Sequence, residues 1–462
     1  MTNKLLLINP PRQKNGNNSL FNNALLWIAS YLEENDIPTK VLFLEKNFEN
    51  ELENYLISYK PNFVGISLKW WDTIYSAEYI AKKVKEFDSN IFVFCGGQTA
   101  THYAKEILET SLFDAVIEGD GETSILNLIN GENYTNCKIK VYKNIVSYEK
   151  KYIQTNESIK NLKLNEYTLN NISFIDKISN YIWTGKGCSM TCFYCGGGRE
   201  GQKETFGRIG YIYRNVDTVI NDIELITNKT KSNLFMLDYD PLAKGKEAFY
   251  LDLLKKLPKK KYSCEFYFWT LPSKEFIDLM SETFENLIFG FDLQVFSENL
   301  RKKLAKLNFI KPIFYTNDFF EDILSYCQNK NNIAVGISGL LGVPYEEKED
   351  IKEIFNFSYK LFRKYRNIYS VLFSPITLEP ASALLKYPDK YEVELLRKNY
   401  NDFRNYTKEV FENNFLDQNF SNYNQYLKYT GLKRKTHNEE DTFNLCFEVQ
   451  EKITELFYSR YN

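Results

Sequence analysis

Over roughly the first 130 residues, short apolar runs alternate with longer stretches in which apolar residues recur every three or four positions. The runs Lys4–Ile8, Lys40–Leu44, Phe63–Leu68, Ile91–Cys95 and Ala115–Glu118 are short and β-rich, as parallel strands buried on both faces should be. Between them, Leu25, Leu26, Ile28, Ala29 and Leu32 line one helix face, and Ala77, Ile80, Ala81 and Val84 line another. Five βα units without long gaps predict an α/β domain, a doubly wound parallel sheet of Rossmann-like type, over residues 1–135. Residues 136–178 are polar and rich in Lys and Asn, and read as a linker with a small hairpin. A second alternating series follows over residues 179–385. Its strands are expected at Tyr181–Thr184, Leu234–Leu237, Glu265–Trp269, Leu287–Phe291, Ile333–Ile337 and Ser370–Phe373, which predicts a partial (β/α)6 TIM-like barrel. Residues 386–462 read as a mostly helical segment, with Phe403, Tyr406, Phe411, Phe415, Phe420, Tyr423, Tyr426 and Tyr429 at spacings that suit a helical core.

Composition narrows the function classes. The chain has 462 residues, enough for two or three domains, and its 34 Tyr and 35 Phe supply a large aromatic core that excludes disorder. A net charge of −2 excludes a global field that would draw it to nucleic acid or to an anionic membrane. Lys433, Arg434 and Lys435 form too short a basic run to change that. Only two histidines are present, His102 and His437, so a His-rich zinc hydrolase site is excluded. No uninterrupted apolar run approaches the 18 or so residues of a membrane span, and the N-terminal apolar run is too short for a signal peptide. The expected location is the cytoplasm. There the eight cysteines stay reduced, and clustered ones bind metal rather than pair as disulfides.

In a doubly wound sheet, ligands sit beyond the carboxyl ends of the strands. The residues expected there are Asn9-Pro10-Pro11, Ser67-Leu68-Lys69-Trp70-Trp71, Cys95-Gly96-Gly97-Gln98 and Glu118-Gly119-Asp120-Gly121-Glu122. Any one of these is an ordinary turn, with Thr99 or Asp120 as a helix cap. Four on one rim predict a ligand approached closely by backbone.

The sharpest chemical signal is Gly187-Cys188-Ser189-Met190-Thr191-Cys192-Phe193-Tyr194-Cys195-Gly196-Gly197-Gly198, three thiols at C-x3-C-x2-C spacing directly after an expected strand. Thiolates suit iron–sulfur clusters and zinc. A closed zinc site wants four ligands in paired knuckles, and the chain has no second C-x2-C. Three ligands on a [4Fe-4S] cube leave one iron open. Cys95, Cys137, Cys264, Cys327 and Cys446 are isolated and read as small buried hydrophobes.

The cysteine segment resembles the radical S-adenosylmethionine (SAM) superfamily, over roughly residues 180–385. The resemblance implies that Cys188, Cys192 and Cys195 hold a [4Fe-4S] cluster, that Tyr194 abuts bound SAM, and that Gly196 lies in the same SAM-binding loop. Leu234-Phe235-Met236-Leu237-Asp238 resembles the second barrel strand, with Asp238 standing where a Gly-Gly-Glu element usually holds the SAM amino group. Phe289-Gly290-Phe291-Asp292-Leu293-Gln294 resembles the fourth strand, which implies a ribose contact from Gln294 first and Asp292 second. Gly339-Leu340-Leu341-Gly342-Val343-Pro344 is similar to the adenine-packing motif of the fifth, with Gly339 and Leu341 as contacts.

The N-terminal domain is similar to the cobalamin-binding domain of one branch of that superfamily, through Leu6-Leu7-Ile8-Asn9-Pro10-Pro11, Val64-Gly65-Ile66-Ser67, Cys95-Gly96-Gly97 and Ile117 to Glu122. The resemblance implies cobalamin contacts from Asn9, Pro10, Ser67, Lys69, Trp70, Gly96, Gly97, Glu118, Gly119, Gly121 and Glu122. The loop after the first strand, Pro11-Arg12-Gln13-Lys14-Asn15-Gly16, has no His, which implies cobalamin without a His lower ligand. The function so implied is a cobalamin-dependent radical SAM enzyme, a C-methyltransferase that moves a methyl group from methylcobalamin to an unactivated carbon after hydrogen abstraction by the 5′-deoxyadenosyl radical. Two alternatives stand beside it: ring contraction, cyclisation or rearrangement without net methylation, and a non-enzymatic cobalamin or redox sensor. The implied partners are a small-molecule or peptide substrate and a one-electron reductant such as flavodoxin or ferredoxin, with no nucleic acid and no membrane span.

Overall fold

The computed structural model describes residues 3–14, 23–45, 48–131, 139–141, 156–170, 180–240, 247–310, 315–413, 422–435 and 439–459. The chain divides into two compact units. The first comprises Met1–Asn180, Glu200–Lys231 and Arg397–Asn419, and the second Tyr181–Arg199, Ser232–Leu396 and Phe420–Asn462.

The sheet of the first unit contains β1 (Leu5–Asn9), β2 (Thr39–Phe43), β3 (Phe63–Ser67), β4 (Phe92–Gly96), β5 (Ala115–Ile117) and β6 (Ile139–Val141), in the order β2-β1-β3-β4-β5-β6. The first five strands pair in parallel, within a residue or two of the expected runs. Leu5, Leu6, Leu7 and Ile8 are each at most 1% exposed, so β1 is covered on both faces, which its uninterrupted apolar run requires. The strand order reverses between β1 and β3, which makes their carboxyl ends the switch point of the sheet. The polar segment read as a linker does more than connect. It adds β6 antiparallel to β5 at the sheet edge and supplies the short helices Asn156–Lys160 and Glu166–Asn170.

The helix Ile74–Phe87 buries Ile74, Ala77, Ile80, Ala81 and Val84, as its periodicity predicts. It also buries Glu78, at 2% exposure. That carboxylate accepts hydrogen bonds from Tyr400 Oη (2.7 Å) and Arg404 Nε (2.5 Å), both on the C-terminal helix Tyr400–Asn413. The C-terminal residues therefore do not stand as a body of their own. Arg397–Asn419 belongs to the first unit and Phe420–Asn462 to the second. Phe403, Tyr406, Phe411, Tyr426 and Tyr429 are all buried; Phe415 and Phe420 lie outside the described residues.

In chain order, the remaining strands are β7 (Tyr181–Ile182), β8 (Gly185–Cys188), β9 (Gly210–Tyr213, in the first unit), β10 (Leu234–Asp240), β11 (Ser263–Phe268), β12 (Leu287–Gln294), β13 (Ile333–Leu341), β14 (Ile368–Pro375), β15 (Val393–Leu395) and β16 (Leu432–Arg434). Six of them form an all-parallel sheet, β14-β13-β12-β11-β10-β7. No pairing joins β14 to β7 among the described residues, so the barrel is partial, as expected. Phe266, Phe268, Phe276, Phe289 and Phe291 fill its core. Phe268 stacks on Phe291 with ring centroids 5.1 Å apart and meets Phe289 edge-on at 4.9 Å, contacts each worth about 0.5–1.5 kcal/mol beyond area burial. Gly290 is required here, because a Cβ at that position would lie 2.4 Å from the Tyr267 ring.

Candidate functional site

In the second unit, β8 runs directly into the cysteine loop. Gly187 sits at φ +104°, a conformation that favours glycine, and turns the chain into Cys188. Phe193 pins the loop from inside. Its N–H donates to Phe309 O (3.0 Å), its carbonyl accepts from Leu384 N (2.9 Å), and its fully buried ring stacks on Tyr391 at 4.9 Å. Arg199 N donates to Met190 O (2.7 Å) and Cys195 N to Cys192 O (3.2 Å), so the loop folds back on itself. A Cβ on Gly198 would press within 3.2 Å of the Met190 carbonyl.

The flanking residues turn their thiols into a defined set. Cys188 is buried, while Cys192 and Cys195 are part-exposed. Met190 N–H donates to Cys188 Sγ (3.4 Å), and the Gln294 amide donates to Cys192 Sγ (3.4 Å) and to Tyr194 Oη (2.7 Å). Gly196 N–H donates to Glu379 Oε2 (2.7 Å). Burial first, and then the neighbouring Glu379 carboxylate and the other two thiols, push the Cys195 thiol well above its ordinary range. Burial likewise holds Tyr194 as a neutral phenol.

The strand-end residues named from sequence distribute as follows. Asp292 and Gln294 lie at the carboxyl end of β12, with Gln294 registered opposite Gly339 of β13. Asp292 is close enough to Tyr194 to act on its charge. Leu341 ends β13, 8% exposed. Asp238 belongs to β10, and its side chain lies outside the described residues. Glu379, past the end of β14, was not singled out by sequence; a polar residue after the sixth strand is the signal that points to it.

In the first unit, the rim of the sheet is built around glycine. Gly97 has φ +116° and ψ −175°, and a Cβ there would lie 2.9 Å from the Leu68 carbonyl. Thr99 and Ala100 N–H donate to Leu68 O (3.1 and 3.3 Å), and Leu68 N–H to Gly96 O (2.8 Å), which ties the ends of β3 and β4 together. Thr101 Oγ1 donates to Gly97 O (2.8 Å) and accepts from Gly119 N–H (3.1 Å), which extends the tie to β5.

The eleven candidate cobalamin residues separate by exposure. Asn9, Lys69, Gly96, Gly97 and Gly121 are part-exposed, and Trp70 is 37% exposed with the Lys69 ammonium 5.6 Å from its ring centroid. Pro10, Ser67, Glu118, Gly119 and Glu122 are buried. Asp120, between them, is held by both carboxylate oxygens to Arg208 Nη2 (2.8 and 2.7 Å) inside the unit. Trp71 turns inward against Phe403, Tyr406 and the Arg397 guanidinium, so of the two tryptophans Trp70 is the one on the rim. His102 lies 3.8 Å from Glu204 and packs on Tyr103, and His437 lies outside the described residues.

The family model described as the B12 binding domain matches residues 16–129, and that of the radical SAM superfamily matches residues 183–358. The chain is a radical SAM enzyme with a B12-binding domain. Its cofactors are a [4Fe-4S] cluster, SAM and cobalamin.

The fold of this radical SAM protein is similar to that of the radical SAM methyltransferase TsrM from Kitasatospora setae, solved with cobalamin and a [4Fe-4S] cluster bound. The TM-score is 0.66 at 15% identity, over 86% of this chain and 81% of that one. It is also similar to the cobalamin-dependent SAM radical enzyme OxsB with aqua-cobalamin bound, at a TM-score of 0.61 and 11% identity, over 99% of this chain and 72% of that one. Among curated proteins, an uncharacterized methyltransferase of Pyrococcus horikoshii is 23% identical over 222 residues, 44% of this chain. The match spans 45% of that relative, less than half its length.

The loop of this radical SAM protein fits a cluster by its donors. Cys195 feels the charge of both Cys188 and Cys192, which places all three sulfurs in one neighbourhood. Among the described residues, no three His, Cys, Asp or Glu side chains converge on a single ion. A cube is different, because each thiolate binds its own iron. The hydroxyls of Ser189 and Thr191, between the cysteines, are buried without a hydrogen-bond partner, which leaves polar capacity in the loop for a bound group. The isolated Cys95, Cys264, Cys327 and Cys446 are buried and unpaired with one another, and Cys137 lies outside the described residues. No helix among the described residues is long and apolar enough to cross a membrane.

Proposed function

We propose that this protein is a cobalamin-dependent C-methyltransferase acting on an unactivated carbon of a small molecule or peptide, with flavodoxin or ferredoxin as its one-electron donor. The observation that carries the reading is the presence, in one chain, of a tri-cysteine loop on the carboxyl edge of an open parallel barrel and of a glycine-built strand-end rim in a B12-type sheet. The methyltransferase names of TsrM and of the archaeal relative support it. When bound, the cluster supplies the electron that splits SAM to a 5′-deoxyadenosyl radical, and cobalamin supplies the methyl group.

The residues then take the following roles. Cys188, Cys192 and Cys195 would hold the iron of the cluster, and burial followed by the nearby Glu379 carboxylate pushes the Cys195 thiol upward. Tyr194 and Gly196 face SAM from the cysteine loop, with Gly339 and Leu341 beneath its adenine and Asp238 on its amino group. The Gln294 amide is already engaged by Cys192 and Tyr194, which passes the ribose to Asp292. In the first unit Asn9, Lys69, Trp70, Gly96, Gly97 and Gly121 form the accessible rim for cobalamin, while Pro10, Ser67, Glu118, Gly119 and Glu122 shape it from beneath. No His comes from the loop after β1. Described through Lys14, it commits Arg12 to Asp72 (3.3 Å) and Lys14 to Glu49 (3.2 Å), and with no His in its sequence it would hold cobalamin without a His lower ligand.

The test is to reconstitute the protein anaerobically with iron, sulfide and hydroxocobalamin, then supply methyl-deuterated SAM, a low-potential reductant and a cell-derived pool of metabolites and peptides. Expected are 5′-deoxyadenosine, S-adenosylhomocysteine and deuterium in a carbon-bound methyl group of a product. 5′-Deoxyadenosine without S-adenosylhomocysteine would move the assignment to rearrangement or cyclisation. Bound cobalamin with neither product would leave a sensor.

A further inference from the structure

Gln294 combines four features that its expected role as a ribose contact does not explain. It is 2% exposed. Its φ is +61°, the left-handed region, unusual for glutamine and held only where the surroundings demand it. The register between β12 and β13 shifts between Asp292 and Gln294, so the strand carries an irregularity where this residue is aimed. And its Nε2 lies 3.4 Å from Cys192 Sγ and 2.7 Å from Tyr194 Oη. A primary amide nitrogen has two N–H groups, so one satisfies each partner at once. A thiolate only accepts, which dictates that the nitrogen side of the amide faces Cys192 when iron is bound.

We infer that Gln294 is a positioning residue that sets the reduction potential of the cluster, through an N–H···S hydrogen bond to the Cys192 ligand. The inference rests on the cluster reading of the three cysteines. The oxidised [4Fe-4S]2+ form takes one electron from a low-potential protein donor to give [4Fe-4S]+, with no proton transferred. The reduced form carries more negative charge on its sulfurs, so a donated N–H stabilises it more and raises the potential. Cys188 accepts from the backbone N–H of Met190, whereas the donor to Cys192 is a side chain from another strand, which a substitution can remove. The second N–H also holds the Tyr194 ring, so one amide spans a cluster ligand and the aromatic residue beside it.

The experiment compares wild type with Gln294→Met, of similar reach but without a donor, and Gln294→Glu, isosteric and acidic. Iron and sulfide are counted in each reconstituted holoprotein, and the midpoint is read by EPR-monitored titration with titanium(III) citrate. With iron content at the wild-type level, Gln294→Met should disfavour reduction about tenfold, a midpoint lower by ~59 mV for one electron, and Gln294→Glu should lower it further by adding negative charge. Midpoints equal to wild type in both variants would overturn the inference. So would folded variants that hold no iron, which would make Gln294 an assembly residue. Iron-free wild type would instead sink the cluster reading and this inference with it.

Discussion

Asp222 offers the cleanest test of how the first unit is held together. It is 2% exposed on the helix Val216–Thr230, and its Oδ2 accepts from Arg214 Nη2 (2.6 Å) and Trp27 Nε1 (3.5 Å). Its Oδ1 accepts from Leu164 N–H (2.8 Å). Arg214 is itself fully buried. Its Nε donates to Leu162 O (2.7 Å), and its guanidinium lies 4.8 Å from the Trp27 ring centroid. One carboxylate thus joins the helix Asn23–Glu33, the segment around Leu162–Leu164 and its own helix. Asp222→Ala leaves a buried guanidinium without its counter-charge, a loss of about 3–5 kcal/mol, and an orphaned Leu164 N–H that costs about 1–3 kcal/mol more. At about 2–4 °C per kcal/mol for a unit of this size, the calorimetric transition of the first unit should fall by roughly 10–30 °C. Arg214→Met combined with Asp222→Leu removes both charges, and should recover a large part of that loss. A double variant that melts as low as Asp222→Ala would show that the hydrogen bonds, and not the stranded charge, carry the stability.

Three further outcomes are expected. Burial pushes the Glu346 carboxyl up to about 7, against the pull of Arg434 and the N–H of Gly342. As a group raised in the fold, it contributes stability that is fully present below about pH 4.5 and lost as pH rises through about 7, on the order of 3 kcal/mol; in Glu346→Gln the fall in Tm between pH 5 and pH 8 should shrink. Gly97→Ala forces a side chain into a glycine-only conformation against the Leu68 carbonyl, and should cost about 1–3 kcal/mol of strain together with most of the bound cobalamin, read by Tm and by cobalamin per chain after gel filtration. Any one of Cys188→Ala, Cys192→Ala or Cys195→Ala should strip iron and sulfide from the reconstituted protein, whereas Cys327→Ala, far from the loop in sequence and fully buried, should retain both.

Much of the fold is legible because each buried strand pays out an uninterrupted apolar run, and all eleven strands expected on that ground exist within a few residues of their predicted places. The cysteine loop is legible for a different reason: its three thiols are local, so spacing alone displays them. What escapes is whatever depends on a distant partner. Glu78 adjoins the apolar stripe of Ile74–Phe87, and nothing near it in sequence announces its partners Tyr400 and Arg404, which lie more than 300 residues away. Glu379 meets the loop 183 positions from Gly196, and Arg208 meets Asp120 across 88. Gln294 was found by its place at a strand end, but the sulfur it faces could not be read from that place. The linker was expected to hold only a small hairpin, and the pairing of β6 with the sheet edge is not legible because Ile139, Lys140 and Val141 are too short a run in a polar setting.

The enclosure of Glu78 by Tyr400 and Arg404 has a consequence for biosynthesis. Ribosomes deliver the chain at roughly 5–20 residues per second, so the 326 positions separating Glu78 from Arg404 correspond to roughly 15–65 s of translation. For most of that interval the nascent sheet has its five parallel strands but lacks the helix Tyr400–Asn413, and Trp71, Tyr75 and Tyr79 lack the rings of Phe403, Tyr406 and Phe411 that pack on them. Glu78 waits on that face without its two partners until Tyr400 and Arg404 are made. A truncated chain ending before residue 397 would carry that exposed face permanently and should be a chaperone client.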